Sequence, residues 1–290
     1  MPLSKEEWLS LEKKANELRN LTLDTVHWCG SGHLGGGLSV LDLLTVLYYK
    51  YLNIDVKNPK WPERDRFILS KGHAAIAYAP VLCDKGFEDK ELLHNFNLTN
   101  SKFGMHLDSN KVSGCDASTG SLGHGLSIAV GTALAARVLK KDYKTYCCLG
   151  DGECDEGSNW EAAMCASNYN LTNLISFVDR NHCMIDGPTE DVMKLEPFED
   201  KWKAFGFETL VIDGNNINEL CNAIDTALAN KSDKPYMIIM DTVKGCGIDF
   251  MEGDYKWHYG SLDDEGYAKA KKALEETYKK RLARVEKEAK

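Results

Sequence analysis

The chain reads as an α/β protein, a doubly wound and mainly parallel sheet flanked by helices. Three observations carry that reading. Short apolar runs (RFILS at 66–70, YCCL at 146–149, NLISFVD at 173–179, TLVI at 209–212, YMIIMDTV at 236–243) lack the alternation of a half-exposed strand. Segments of helical spacing separate them, as parallel crossovers require. Hydrophobic residues make up 43% of the 290, enough to bury the core of one large domain.

The elements follow in order. Ser4 and Glu7 form a capping box before Trp8, Leu11, Ala15 and Leu18, which predicts a helix running to about Trp28 and stopping at Gly30. Gly30–Gly37 reads as a glycine-rich loop before a second helix that Ser39 can cap. After the first strand, KGHAA leads into another helix. Residues 100–125, rich in Gly, Ser, Asp and His, read as loop and run into an Ala-rich helix over 126–140. Ile217, Leu220, Ile224 and Leu228 mark a helix before the last strand. From Asp263 a charged tail carries Tyr267, Leu274, Tyr278, Leu282 and Val285 on one stripe, a docking or solvated helix. The expected organisation is one domain over 1–262 and a helical tail over 263–290.

Composition narrows the partners. A net charge of -9 argues against nucleic acid or an anionic membrane, so an anionic ligand needs local backbone amides, histidines or a metal. No apolar run reaches the ~20 residues of a membrane helix, and MPLSKEEWLSLEKK has no signal-peptide character. The ten cysteines form no CxxC pair, which argues for reduced thiols in a cytoplasmic protein over zinc or a disulfide scaffold.

The chemistry concentrates at the strand ends. Ligands of an open parallel sheet bind beyond its C-terminal edge. Asp151 follows one strand run and Asn181 the next, a carboxylate and an amide oxygen suited to Mg²⁺ or Ca²⁺ with positions left open for phosphate. Gly152 admits close backbone approach, and a helix starting near Glu156 can aim its amide end there. Taken alone, GDG reads first as a tight strand-to-helix turn. The loops at 30–37 and 120–125 also precede helices, but neither is a Rossmann fingerprint, and no P-loop occurs. His33, His73, His106 and His258 sit beside glycine or in loops. Each alone reads as structural; four together suit a site that handles anions and protons.

In order along the chain, SGHLGG (31–36), RDRFILSKGH (64–73), STGSLGHG (118–125), GDGECDEG through VDRN (150–181), IDG (185–187), FEDKWKAFGFETLVIDGNN (198–216) and TVKGCG (242–247) resemble the thiamine-diphosphate-binding N-terminal part of transketolase. The resemblance implies a thiamine-diphosphate-binding fold, diphosphate-binding domain. It implies a divalent metal, Mg²⁺ with Ca²⁺ or Mn²⁺ as substitutes, held by Asp151, Asn181 and the carbonyl of Cys183. Gly152, Glu153, Asn181, His73 and His258 are assigned to the cofactor, as are Gly120, Ser121 and Leu122 along its middle. His33, His106 and His258 reach the substrate. Glu156 and Glu161 match carboxylates that link paired active sites, with simple surface charge the other reading of Glu161. The departures are Leu34 for a usual proline, Ser121 for proline, His124 for glutamine, His182 for glycine, and Tyr259 inserted in a usual His-Gly.

The resemblance also implies an incomplete enzyme. The glutamate that activates the aminopyrimidine lies on a second α/β domain in the family, and single-chain members are more than twice this long. The expectation is the diphosphate-binding subunit of a split, two-chain transketolase, completed by a chain with the pyrimidine-binding domain in an α2β2 heterotetramer. It would pass a two-carbon ketol unit from a ketose, phosphorylated or otherwise anionic such as a sulfo-sugar, to an aldose. The alternatives are the alpha subunit of a 2-oxo acid dehydrogenase and a non-catalytic scaffold subunit of the same fold.

Overall fold

The computed structural model describes residues 3–289. The strands are β1 (Arg66–Leu69), β2 (Thr145–Gly150), β3 (Leu174–Arg180), β4 (Glu208–Asp213) and β5 (Tyr236–Asp241). The helices are α1 (Lys5–Cys29), α2 (Leu34–Val46), α3 (Ala75–Lys85), α4 (Gly125–Val138), α5 (Gly157–Asn168), α6 (Thr189–Val192), α7 (Phe198–Ala204), α8 (Ile217–Leu228) and α9 (Asp264–Glu288). All five apolar runs become strands, in the order β1-β2-β3-β5-β4 with every neighbouring pair parallel.

Both faces of the sheet are covered, which explains the missing alternation. Consecutive residues fall into different cores. Tyr146, Cys148, Ile175, Phe177, Ile238 and Met240 pack with α1, α2, α3 and α8. Cys147, Leu149, Leu174, Val178, Met237 and Ile239 pack with α4, α5 and α7. Every residue of β3 is buried, whereas the edge strand β4 is partly exposed.

The capping box of α1 forms as the sequence predicts, and Gly30 ends the helix at φ 87°. The second helix differs from its expectation. It starts at Leu34, so Gly35, Gly36 and Gly37 are helical and Ser39 is no cap. The cause is close packing: a methyl group on Gly35 would stand 2.7 Å from the Trp257 carbonyl oxygen, and one on Gly37 would stand 2.8 Å from Ile76. Leu34 occupies the first helical position, where proline is well tolerated. That accounts for the interchange with the family's proline.

The tail helix α9 docks. Ala270, Leu274 and Val285 join the core of α1 and α2. Arg281 is buried and pairs with Glu12 and with both carboxylate oxygens of Asp42, at 2.8 and 3.1 Å.

Candidate active site

The parallel register brings the chemistry to one edge. Gly150 lies beside Asp179 in the β2–β3 pairing, so the next residues, Asp151 and Arg180–Asn181, emerge together. The backbone N–H of His182 donates to Asp151 Oδ2 at 2.7 Å and ties the two strand ends. Lys71 follows β1 and Lys244 follows β5 at the same edge. They enclose a cavity of about 310 Å³ lined by His33, His73, His106, Gly120, Leu122, Gly152, Glu153, Asp151, Asn181, Cys183, Lys71, Lys244 and His258, among others.

Most of the residues singled out in the sequence therefore meet. Ser121 and Glu156 do not line the cavity; both are exposed, as is Glu161. Glu156 occupies the N-cap position of α5, which starts at Gly157, without a side-chain capping bond, and a short 3-10 turn over Gly152–Asp155 intervenes. The amide end of α5 is thus not presented to the cavity, contrary to the sequence expectation. Glu153 lines the cavity but spends its carboxylate on the backbone N–H groups of Gly150 (2.9 Å) and Gly123 (3.0 Å) and on Ser70 Oγ. It holds the 120–123 loop against the strand ends.

The donor set fits a hard cation. Asp151 is buried and accepts from the N–H groups of Gly152 and His182. Burial and the nearby Asp179 carboxylate push its pKa up although Arg180 Nη1 stands 3.4 Å from Oδ2, so the ionised form would gain from a further cation at this place. Asn181 would contribute an amide oxygen and Cys183 a carbonyl, a set of oxygen ligands suited to Mg²⁺ or Ca²⁺. Lys71 and Lys244 are buried ammonium groups at the same cavity, as a diphosphate requires. The buried Nδ1 of His33 has no hydrogen-bond partner among the described residues, the condition of a ring awaiting a polar ligand.

The imidazoles form one cluster. The His33 ring lies 5.2 Å from His73, 5.3 Å from His258 and 6.4 Å from His106. Burial, then neighbouring positive charge, lowers the pKa of His33 to about 4 and of His258 to about 3. Burial and Lys71 hold His73 well below its ordinary value, and burial lowers His106. The shifts favour the neutral form of all four rings, each able to accept a hydrogen bond at its unprotonated nitrogen. His258 keeps its place despite the inserted Tyr259. Gly32 and Gly260 form an antiparallel bridge, and Tyr259 turns aside so that its hydroxyl meets Ser31 Oγ at 2.7 Å and its ring packs edge-on against His33.

His182, where glycine is usual in the family, sits at φ 62°. Its N–H bond to Asp151 and its ring contact with Asp241 (2.6 Å) offset the cost of a side chain in the left-handed region. The residues that sequence reasoning missed are Lys71, Lys244 and Asp179. The signal available was a lysine inside small and apolar surroundings, SKGHAA and TVKGCG, where surface lysines are uncommon.

A family profile described as "Transketolase, thiamine diphosphate binding domain" matches residues 10–286. The chain belongs to the transketolase family. It is 43% identical to the 6-deoxy-6-sulfo-D-fructose transketolase subunit SqwG of Clostridium sp. (strain MSTE9), covering 93% of this chain and 98% of that one. It is 39% identical to an apulose-4-phosphate transketolase subunit of Phocaeicola vulgatus, covering 96% and 97%. Human transketolase is 35% identical over 86% of this chain but only 39% of its own length. The transketolase from Leishmania mexicana superposes with a TM-score of 0.86 at 28% identity, covering 96% of this chain and 45% of that one. The chain thus spans less than half of the solved transketolases and nearly all of the relatives called subunits. Within this transketolase chain, the cavity lies beyond the C-terminal ends of the strands, the edge at which open parallel sheets bind their ligands.

Proposed function

We propose that the chain binds thiamine diphosphate through Mg²⁺ and, with a separate chain, forms a transketolase that moves a two-carbon ketol unit from a ketose to an aldose. One observation carries the reading: a single cavity joins an oxygen set, Asp151, Asn181 and the Cys183 carbonyl, to two buried lysines and four neutral imidazoles. Ca²⁺ or Mn²⁺ suits the same oxygen set. The sugar relatives suggest a donor with a terminal anion, a sulfonate or a phosphate.

When bound, thiamine diphosphate supplies the electron sink for breaking a carbon–carbon bond. The residues of this chain anchor, orient and move protons. Asp151, Asn181 and Cys183 hold the metal, and Lys71 and Lys244 offset the diphosphate charge. His33, His106 and His258 orient sugar hydroxyls at the cavity by accepting their hydrogen bonds and assist proton transfers around them. A partner chain with the pyrimidine-binding domain and its glutamate completes the site, in an α2β2 arrangement. The near-complete coverage of relatives called subunits supports a partner, as does Ile185, a cavity-lining apolar side chain that is 64% exposed. The ten free thiols suit a reducing cytoplasm. No helix among the described residues is long and apolar enough to cross a membrane.

The test is reconstitution with a candidate second chain, thiamine diphosphate and Mg²⁺. Ketose-to-aldose transfer that needs both chains supports the reading. Oxidative decarboxylation of a 2-oxo acid with a lipoyl acceptor, or transfer at a normal rate by this chain alone, contradicts it.

A further inference from the structure

Asp179 lies at the end of β3 with no solvent exposure, two residues before Asn181. Four side chains from four parts of the chain converge on its carboxylate. Ser39 of α2 donates to Oδ2 at 2.6 Å, Lys71 beyond β1 pairs with the same oxygen, Thr242 beyond β5 donates to Oδ1, and the Asn181 amide nitrogen stands 3.3 Å from Oδ2. An ionised carboxylate only accepts hydrogen bonds. Asn181 must therefore turn its NH₂ inward to Asp179, and its oxygen is left for the side where the Cys183 N–H donates at 3.2 Å. A primary amide can otherwise rotate by half a turn and present two donors to a cation, which repels it.

We propose that Asp179 is the positioning residue of the metal site: it fixes which end of the Asn181 amide meets the cation and anchors Lys71 beside it. Ser39 is the second anchor, since its hydroxyl both donates to Asp179 and lies 3.5 Å from the Asn181 nitrogen. This assigns a task to the serine inside α2. Gly36, three residues earlier on the same helix, carries a carbonyl that also accepts from Lys71 at 2.9 Å.

The proposal rests on reading the cavity as a metal–diphosphate site, and the experiment separates the two. Mg²⁺ is titrated calorimetrically into the two-chain complex at saturating thiamine diphosphate, with unfolding in urea as a check on each variant. Asp179→Asn frees the Asn181 amide and weakens Mg²⁺ binding about 10- to 100-fold, the usual cost of losing a residue that orients a metal ligand. Asn181→Asp alone sets two carboxylates against each other and also weakens binding. The double variant D179N/N181D restores it to within about threefold, because a carboxylate presents oxygen whichever way it turns and the amide introduced at position 179 can donate to it. A residue with a merely structural role gives no such rescue. Ser39→Ala, a milder change that decides the matter if Asp179→Asn does not fold, weakens Mg²⁺ binding about two- to fivefold. Unchanged affinity in both Asp179→Asn and Ser39→Ala, or a double variant no better than the weaker single, overturns the orienting role. Failure of the unsubstituted complex to bind thiamine diphosphate overturns the functional reading itself.

Discussion

Nζ of Lys244 stands 3.0 Å from Nδ1 of His258, so a buried lysine has an imidazole as its near partner where a carboxylate is usual. Burial and then Lys71 lower the lysine pKa to about 8. Burial and then Lys244 lower that of His258 to about 3. Lys244 disfavours the proton on His258, and a diphosphate would give the ammonium an anion to face.

Lys244→Met should therefore have two effects. Thiamine diphosphate affinity falls about 10- to 100-fold, the worth of one charge-assisted hydrogen bond, read by calorimetry on the two-chain complex. The His258 pKa rises towards its ordinary value, read by NMR titration of the ring. Unchanged cofactor affinity would show that the lysine does not face the diphosphate.

Stability should depend on pH through the imidazoles. His33 and His258 titrate near 4 and 3 in the folded chain, against 6.5 when unfolded. Below 6.5 the unfolded chain takes up protons that the folded chain refuses, so their contribution is complete above 6.5 and is lost as pH falls through about 4 for His33 and about 3 for His258. The thermal midpoint of the cofactor-free chain should fall over that window. In the double variant His33→Asn/His258→Asn the fall should be visibly shallower, and equal slopes would refute the assignment.

Gly120 is held against His106. Its φ is 138°, and a methyl group there would stand 2.7 Å from the imidazole ring. Gly120→Ala should displace His106 and lower kcat by more than about tenfold, while the cost in stability stays within about 1–3 kcal/mol. Steady-state kinetics and urea unfolding read the two effects separately. Wild-type kcat in a folded variant would mean that the ring position is unimportant.

The tail helix should be integral to stability. Burial opposes ionised Asp42, yet Arg19 and Arg281 lower its pKa to about 2. Arg281→Met leaves Glu12 without its buried cation and Asp42 with one arginine fewer. The expected loss is about 3–5 kcal/mol, the cost of breaking a buried ion pair from one side, seen as a lower urea midpoint. A loss below about 1 kcal/mol would place the pair among ordinary surface bridges.

Much of this was legible in the sequence. The five apolar runs gave strands because a sheet covered on both faces has no reason to alternate, and Asp151 and Asn181 could be placed at one edge because parallel strands end together. The start of α2 was not legible. Glycine signals a loop when backbone freedom is its purpose, whereas Gly35 and Gly37 serve close packing against Trp257 and Ile76, which are remote in sequence. Asp179 was hidden for a similar reason. Its partners Ser39, Lys71 and Thr242 come from three other parts of the chain, and spacing cannot show a hub of that kind. Glu156 illustrates the opposite limit, since the role that the resemblance implies lies between paired active sites and this chain alone shows an exposed side chain at the start of α5.

The most direct measurement is calorimetric binding of thiamine diphosphate to the two-chain complex in Mg²⁺, compared with the same complex carrying Asp151→Ala. Saturable binding that disappears on chelation of the metal and in the variant is the predicted result. Equal binding by both, or none by the unsubstituted complex, would contradict the metal–diphosphate site at the sheet edge.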